Sequence, residues 1–166
     1  MEGAIAVGLG ELAISARPES VLAAFGLGSC VALIAFDSTR KIGGLLHALL
    51  PMHRNGDRNP TKFVDTVMIE MLAQLSALGV RPKQLDWWIV GGAQMLTAPG
   101  LSDRFNIGAQ NIAMAQAAVE RHQLRLVGQD TGGYQGRTVR LFVADGSVVV
   151  RYVNGQQSVL PNPVGS

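Results

Sequence analysis

The chain has 166 residues, 48% of them apolar, and a formal net charge of +2 from 14 basic and 12 acidic side chains. This predicts one compact domain that buries its own core without a disulfide or metal staple. Scattered Lys and Arg argue against nucleic-acid binding, and no apolar run approaches the ~20 residues that span a bilayer.

The single cysteine cannot pair within the chain, which fits a reducing compartment. The start, Met1-Glu2-Gly3-Ala4, carries an acid where a leader would carry bases. The chain therefore reads as cytoplasmic, without direct membrane insertion.

Taken in order, Ala4 to Leu9 is a strand candidate, Ile14 begins a second, and Arg17-Pro18-Glu19-Ser20 is a turn. Val21 to Phe25 feeds Gly26-Leu27-Gly28-Ser29-Cys30. Cys30 to Phe36 is continuously apolar, as expected of a strand covered on both faces. After the polar turn Asp37 to Arg40, Ile42 to Leu50 is apolar again and closes at Pro51. The two runs predict a hairpin with Cys30 and His47 at the end away from the turn. Paired strands bring opposed residues within ~5.5 Å between Cα atoms, so the spacing permits contact without fixing the register.

Met52 to Asn59 reads as a loop, with Asn59 as cap and Pro60 as first residue of a helix. Its buried face is expected to hold Phe63, Val64, Val67, Met68, Met71, Leu72, Leu75 and Leu78, with Gly79 as the C′ residue. Leu85 to Val90 is a strand running into Gly91-Gly92-Ala93-Gln94-Met95. Asn106 caps a second helix from Ile107 to Arg121, with an alanine-rich face of Ala113, Ala115, Ala117 and Ala118. Leu124 to Val127 is a strand, Asp130 to Gly133 a turn, and Val139 to Ala144 and Ser147 to Val153 flank a type I′ signal at Asp145-Gly146. The domain is expected to span residues 1–153, with a flexible tail over 154–166. The order of elements favours an α+β fold over a doubly wound sheet.

A lone cysteine opening an apolar strand is by base rate a small buried hydrophobe. The glycines before Cys30 add a second reading, because they allow the amides of Ser29 and Cys30 to face a developing oxyanion. His47, among leucines, is either a hydrogen-bonded core residue or a base for the thiol. His53 and His122 are weaker candidates. One cysteine and three dispersed histidines give no metal-ligand spacing, and neither glycine run matches a P-loop or dinucleotide fingerprint, so no cofactor is expected. Trp87 and Trp88 are read as core and surface neighbours on one strand. Met68, Met71, Met95 and Met114 are read as core.

Six stretches occur together in order: GLGSCVAL, the GG-x-x-H-x-x-LP ending at Pro51, Lys62-Phe63-Val64-Asp65, Gly91 to Met95, Ile107 to Asn111, and Asp130-Thr131-Gly132-Gly133 with Gly136-Arg137. In these the chain resembles the chemoreceptor glutamine deamidases, CheD, over roughly residues 4–153. The resemblance implies packed mixed and antiparallel sheets, sandwich-like, with helices outside. It implies a protein-glutamine glutaminase that converts receptor glutamines to glutamate and ammonia, with Cys30 as nucleophile, His47 as base, and Gly28 and Ser29 in the nucleophile loop. The implied partners are the cytoplasmic helices of chemoreceptors and a CheC-type phosphatase. The family's third residue, a threonine, falls on Ala24. That departure keeps a rival reading open, in which the chain is a non-catalytic adaptor.

Overall fold

The computed structural model describes residues 4–49, 63–95 and 106–162. Its strands are β1 (Ala4–Ala6), β2 (Leu12–Ser15), β3 (Val21–Leu27), β4 (Val31–Asp37), β5 (Ile42–Ala48), β6 (Asp86–Gly91), β7 (Arg125–Thr131), β8 (Arg137–Phe142), β9 (Ser147–Tyr152) and β10 (Gln157–Val159). The helices are α1 (Val64–Ala77) and α2 (Ile107–Arg121). One sheet has the order β1-β3-β8-β9-β10 and the other β2-β5-β4-β6-β7. Both are mixed: β1 runs parallel to β3 and β7 parallel to β6, while the remaining neighbours are antiparallel. The α+β architecture of packed sheets agrees with the sequence reading.

Two cores follow from the period-2 alternation of the strands. Between the sheets lie Leu22, Ala24 and Leu27 of β3, Ala32, Ile34 and Phe36 of β4, and Val139 and Leu141 of β8. On the opposite face of the second sheet, Leu33 and Ala35 of β4 and Trp87 and Ile89 of β6 pack against Val67, Met71 and Leu75 of α1 and Ala115 and Val119 of α2. The layers are thus sheet, sheet, helices. β4 reads as an unbroken apolar run because it is central in its sheet and covered on both sides.

Helix α1 begins at Val64 with Phe63 as N-cap and no side-chain cap bond. The expected start at Asn59-Pro60 lies outside the described residues. The C-terminus follows the expectation: Gly79 has φ +79°, its amide donates to the Ser76 carbonyl, and the Val80 amide donates to Leu75. This is a Schellman motif, which stops the helix where only glycine is unstrained. Leu78 is the C-cap and is exposed, so it leaves the predicted buried face.

Asn106 caps α2 through a bond from the Ala109 amide, as read. Its buried face is Gly108, Asn111, Ala115, Ala118 and Val119, whereas Ala113 and Ala117 are exposed. The close approach comes from a glycine pair. A Cβ on Gly108 would stand 2.3 Å from the Ala93 carbonyl oxygen, and one on Gly92 would stand 2.3 Å from Ile112.

Other expectations are corrected. Trp87 and Trp88 are both fully buried, one in each core, because both faces of β6 are covered. Met95 is exposed instead of core. Asp130 and Thr131 extend β7 through their pairing with Val90 and Gly91, so the turn begins later than read. The β8–β9 loop holds four residues, since Phe142 pairs with Ser147. Only Gly146 there has positive φ, and a type I′ turn requires it at both central positions. Beyond Val153, where the sequence predicts a tail, β10 pairs with β9, Leu160 is buried, and Trp88 Nε1 donates to the Pro161 carbonyl at 2.8 Å.

Gly108→Ala is expected to push α2 off β6 and cost about 1–3 kcal/mol, read as a lowered urea midpoint. Gly136→Ala, whose Cβ would meet nothing nearer than 3.5 Å, is the control and should leave the midpoint nearly unchanged.

Candidate active site

Residues from five of the six motif stretches meet at one end of the sandwich. There β3 ends at Leu27 opposite Arg137 of β8, β4 begins at Val31 between Ala48 of β5 and Gly91 of β6, and Thr131 closes β7 beside Gly91. Gly108, in the first turn of α2, packs on the chain as it leaves β6.

His47 stands opposite Ala32 on β4. Cys30, two residues before Ala32, therefore shares its face of the sheet and is its diagonal neighbour. Such neighbours lie about 7–8 Å apart between Cα atoms, within reach of long side chains. The hairpin register thus sets Cys30 diagonally from His47 and not as an opposed pair.

His47 is 7% exposed, and its orientation is fixed by backbone. Its amide donates to the Glu11 carbonyl at 3.0 Å, and its carbonyl accepts from Gly10 at 2.9 Å. The ring Nδ1 lies 3.0 Å from the Val7 carbonyl oxygen. A carbonyl only accepts, so Nδ1 carries the hydrogen and a neutral ring presents its lone pair at Nε2. Among the described residues no protein group bonds Nε2. Val7 is held in turn by its own amide donating to Ala23 at 2.7 Å, and the loop after it is closed by the Gly8 amide donating to Glu11 Oε1 at 2.6 Å. Ala24 is buried in the core between the sheets. Val7 was not singled out in the sequence, because a carbonyl acceptor belongs to every residue and leaves no composition signal.

The segment Gly28 to Cys30 leaves the β-ladder, and its carbonyls find partners on one side. Gly28 O accepts from the Ala93 amide at 2.8 Å, Ser29 O from Asn111 Nδ2 at 2.9 Å, and Cys30 O from the Gly92 amide at 2.8 Å. The amides of Gly28 and Ser29 donate to no protein acceptor among the described residues. Cys30 is half-buried, and burial pushes its thiol pKa up, while a hydrogen bond from its own backbone amide pulls the other way. Burial therefore favours the protonated thiol, and the diagonal His47 has a ring nitrogen, Nε2, that bonds no protein group among the described residues. Exposed Met95 lies over Gly28, where a Cβ would be 3.3 Å from its side chain.

Behind this end, Arg137 of β8 joins the two sheets. It is 4% exposed and pairs with Asp130 of β7 at 2.5 Å. It also donates to the Gly132 carbonyl, and Tyr152 of β9 donates to the second oxygen of Asp130. Burial, then the bond to Asp130, raises the Tyr152 pKa. Gly132 donates to the Gly91 carbonyl at 3.0 Å and Gln94 donates to Gly133 at 2.8 Å, so this network braces the same Gly91–Gln94 segment that holds the Cys30 loop. Among the described residues no group of His, Cys, Asp and Glu could hold a metal. His122 is the C-cap of α2, remote in sequence from this cluster, and His53 lies outside the described residues.

Comparison with known proteins gives consistent results. The family model described as CheD chemotactic sensory transduction matches residues 49–152. The chain is 42% identical over 151 residues to a "Probable chemoreceptor glutamine deamidase CheD" of Symbiobacterium thermophilum, covering 89% of this chain and 92% of the relative. It is 41% identical to the protein of the same name from Pyrococcus abyssi (93% and 95% covered) and 38% identical to that from Thermococcus kodakarensis (90% and 93%). Among solved structures, the Bacillus licheniformis hypothetical protein YfiH gives a TM-score of 0.45 at 15% identity, covering 69% of this chain and 49% of that one, a likeness too distant to argue from.

Because burial favours the neutral thiol, iodoacetamide labelling of Cys30 should rise with pH through an inflection above that of the unfolded chain. By the same linkage, the thiol's contribution to stability is full below the unfolded pKa and is lost as pH rises through the folded one. An inflection at or below the unfolded value would contradict the burial. Asp130→Ala strands the buried Arg137 guanidinium and should cost about 3–5 kcal/mol, measured by urea unfolding.

Proposed function

This chain belongs to the CheD family, and on that footing we propose that it is a cysteine-dependent amidohydrolase converting chemoreceptor glutamines to glutamate with release of ammonia. The observation that carries this reading is the Cys30–His47 diagonal pair, with the imidazole held by the Val7 carbonyl in the tautomer a general base needs.

The chemistry follows from the neutral resting state. His47 Nε2 takes the Cys30 proton as the sulfur attacks the carboxamide carbon, giving a tetrahedral oxyanion. The unengaged amides of the Gly28–Ser29 segment, with that of Cys30, are the donors for its charge. The imidazolium then protonates the amide nitrogen, the C–N bond breaks, and ammonia leaves a thioester. Water, deprotonated by the same Nε2, attacks the thioester carbonyl. The C–S bond breaks and the sulfur regains its proton. The net reaction consumes one amide and one water and gives one carboxylic acid and one ammonia.

This reading requires the cytoplasmic helices of chemoreceptors as partners, and family resemblance adds a CheC-type phosphatase. No helix among the described residues is long and apolar enough to cross a membrane, and the protein would act on receptors from the cytoplasmic side. Ala24 favours a second reading, a receptor-binding adaptor without catalysis, because it offers no hydroxyl near the site. The Val7 carbonyl supplies an orienting group for His47 in its place, which is why hydrolysis is preferred.

Incubation with a cytoplasmic chemoreceptor fragment should add about one mass unit per modified glutamine, the change from amide to acid. Cys30→Ala should abolish the gain, and His47→Ala should slow it by about 10²–10⁴-fold. Binding of the fragment without any Cys30-dependent mass change would leave the adaptor reading in its place.

A further inference from the structure

One buried polar side chain outside the Cys30–His47 pair bears directly on the nucleophile loop. Asn111, on α2, is 0% exposed, its Nδ2 donates to Ser29 O at 2.9 Å, and its Oδ1 has no partner among the described residues. The assignment of its amide is unambiguous, because an Oδ1 turned toward the Ser29 carbonyl could form no hydrogen bond.

The peptide bonds here are trans, so each carbonyl and the N–H of the same peptide unit point in opposite directions. Gly28 O is drawn to Ala93, Ser29 O to Asn111 and Cys30 O to Gly92, all from the β6–α2 side. The amides of Ser29 and Cys30 are consequently turned away from that side. Two of the three anchors are backbone amides, which nearly any sequence supplies. The middle one is a side chain, and it orients the peptide that carries the Cys30 N–H. That N–H lies against its own sulfur, at the reacting centre. Asn111 keeps this role although its buried Oδ1 finds no partner among the described residues, a cost that an apolar residue of similar size would avoid.

We propose that Asn111 is a positioning residue that aims the Cys30 amide at the oxyanion by holding the Ser29 carbonyl. This rests on the hydrolytic reading above. It does not touch substrate; it acts through the Ser29–Cys30 peptide.

Asn111→Asp keeps the shape, removes the donor and sets a carboxylate against the Ser29 carbonyl. Asn111→Ala removes the donor without adding charge and serves if the Asp variant does not fold, with the near-ultraviolet signal of Trp87 and Trp88 reporting the fold. Two reactions are compared in each folded variant: ammonia release from a cytoplasmic chemoreceptor fragment, and labelling of Cys30 by iodoacetamide. Displacement at the saturated carbon of iodoacetamide forms no oxyanion, so it does not need the cradle. The expected result is a kcat for ammonia release lowered on the order of 10²-fold, with KM as in the wild type and, at a pH above every thiol inflection so that each variant is fully thiolate, the wild-type labelling rate. Wild-type kcat in a folded variant overturns the proposal. So does a labelling rate that falls in step with kcat, which would mean that Asn111 merely packs around the sulfur. A wild-type protein that releases no ammonia overturns the hydrolytic reading and this inference with it, whereas an active wild type with unaffected Asn111 variants overturns the inference alone.

Discussion

A chain that leaves a β-ladder in the interior must find new partners for its backbone polar groups. Between β3 and β4 the protein meets this constraint asymmetrically. The carbonyls of Gly28, Ser29 and Cys30 are satisfied by Ala93, Asn111 and Gly92, while the amides of Gly28 and Ser29 have no protein acceptor among the described residues. Two parts of the surrounding architecture support those three bonds. Gly92 and Gly108 let α2 approach the exit of β6 closely enough for Asn111 to reach Ser29. The Asp130–Arg137–Tyr152 network ties the ends of β7, β8 and β9 together behind the same segment.

The other half of the site rests on backbone from a different quarter. His47 is clamped by Gly10 and Glu11 through its main chain and by Val7 through its ring. Val7 in turn hangs from Ala23 on β3, so the imidazole, set in one sheet, is oriented from the other. A carbonyl fixes the tautomer without adding a charge. Partial burial likewise pushes the Cys30 thiol toward its neutral form. The imidazole is thus held by main chain, while Ala24 lies in the apolar core between the sheets.

The sequence by itself determined the α+β class, the β4–β5 hairpin and both helices, and it placed Cys30 and His47 toward the same end of that hairpin without fixing their register. It could do so because these rest on local rules: apolar period, turn residues, the Gly79 stop, the Asn106 cap. Where it erred, distant contacts decided. Both tryptophans are buried because sheets and helices cover both faces of β6. The segment after Val153 joins the sheet because β9 offers it an edge and Trp88 a donor. The glycine-rich runs were visible as motifs, but their purpose, close approach of α2 to β6, appears only when the two backbones are placed side by side. Tertiary structure alone decided what surrounds these residues: the diagonal register of Cys30 against His47, the Val7 carbonyl behind the imidazole and the Asn111 amide behind the Gly28–Cys30 segment. Each is a contact between segments far apart in the chain, and in two of the three a backbone group or a register, which every residue possesses, does what no residue type could announce.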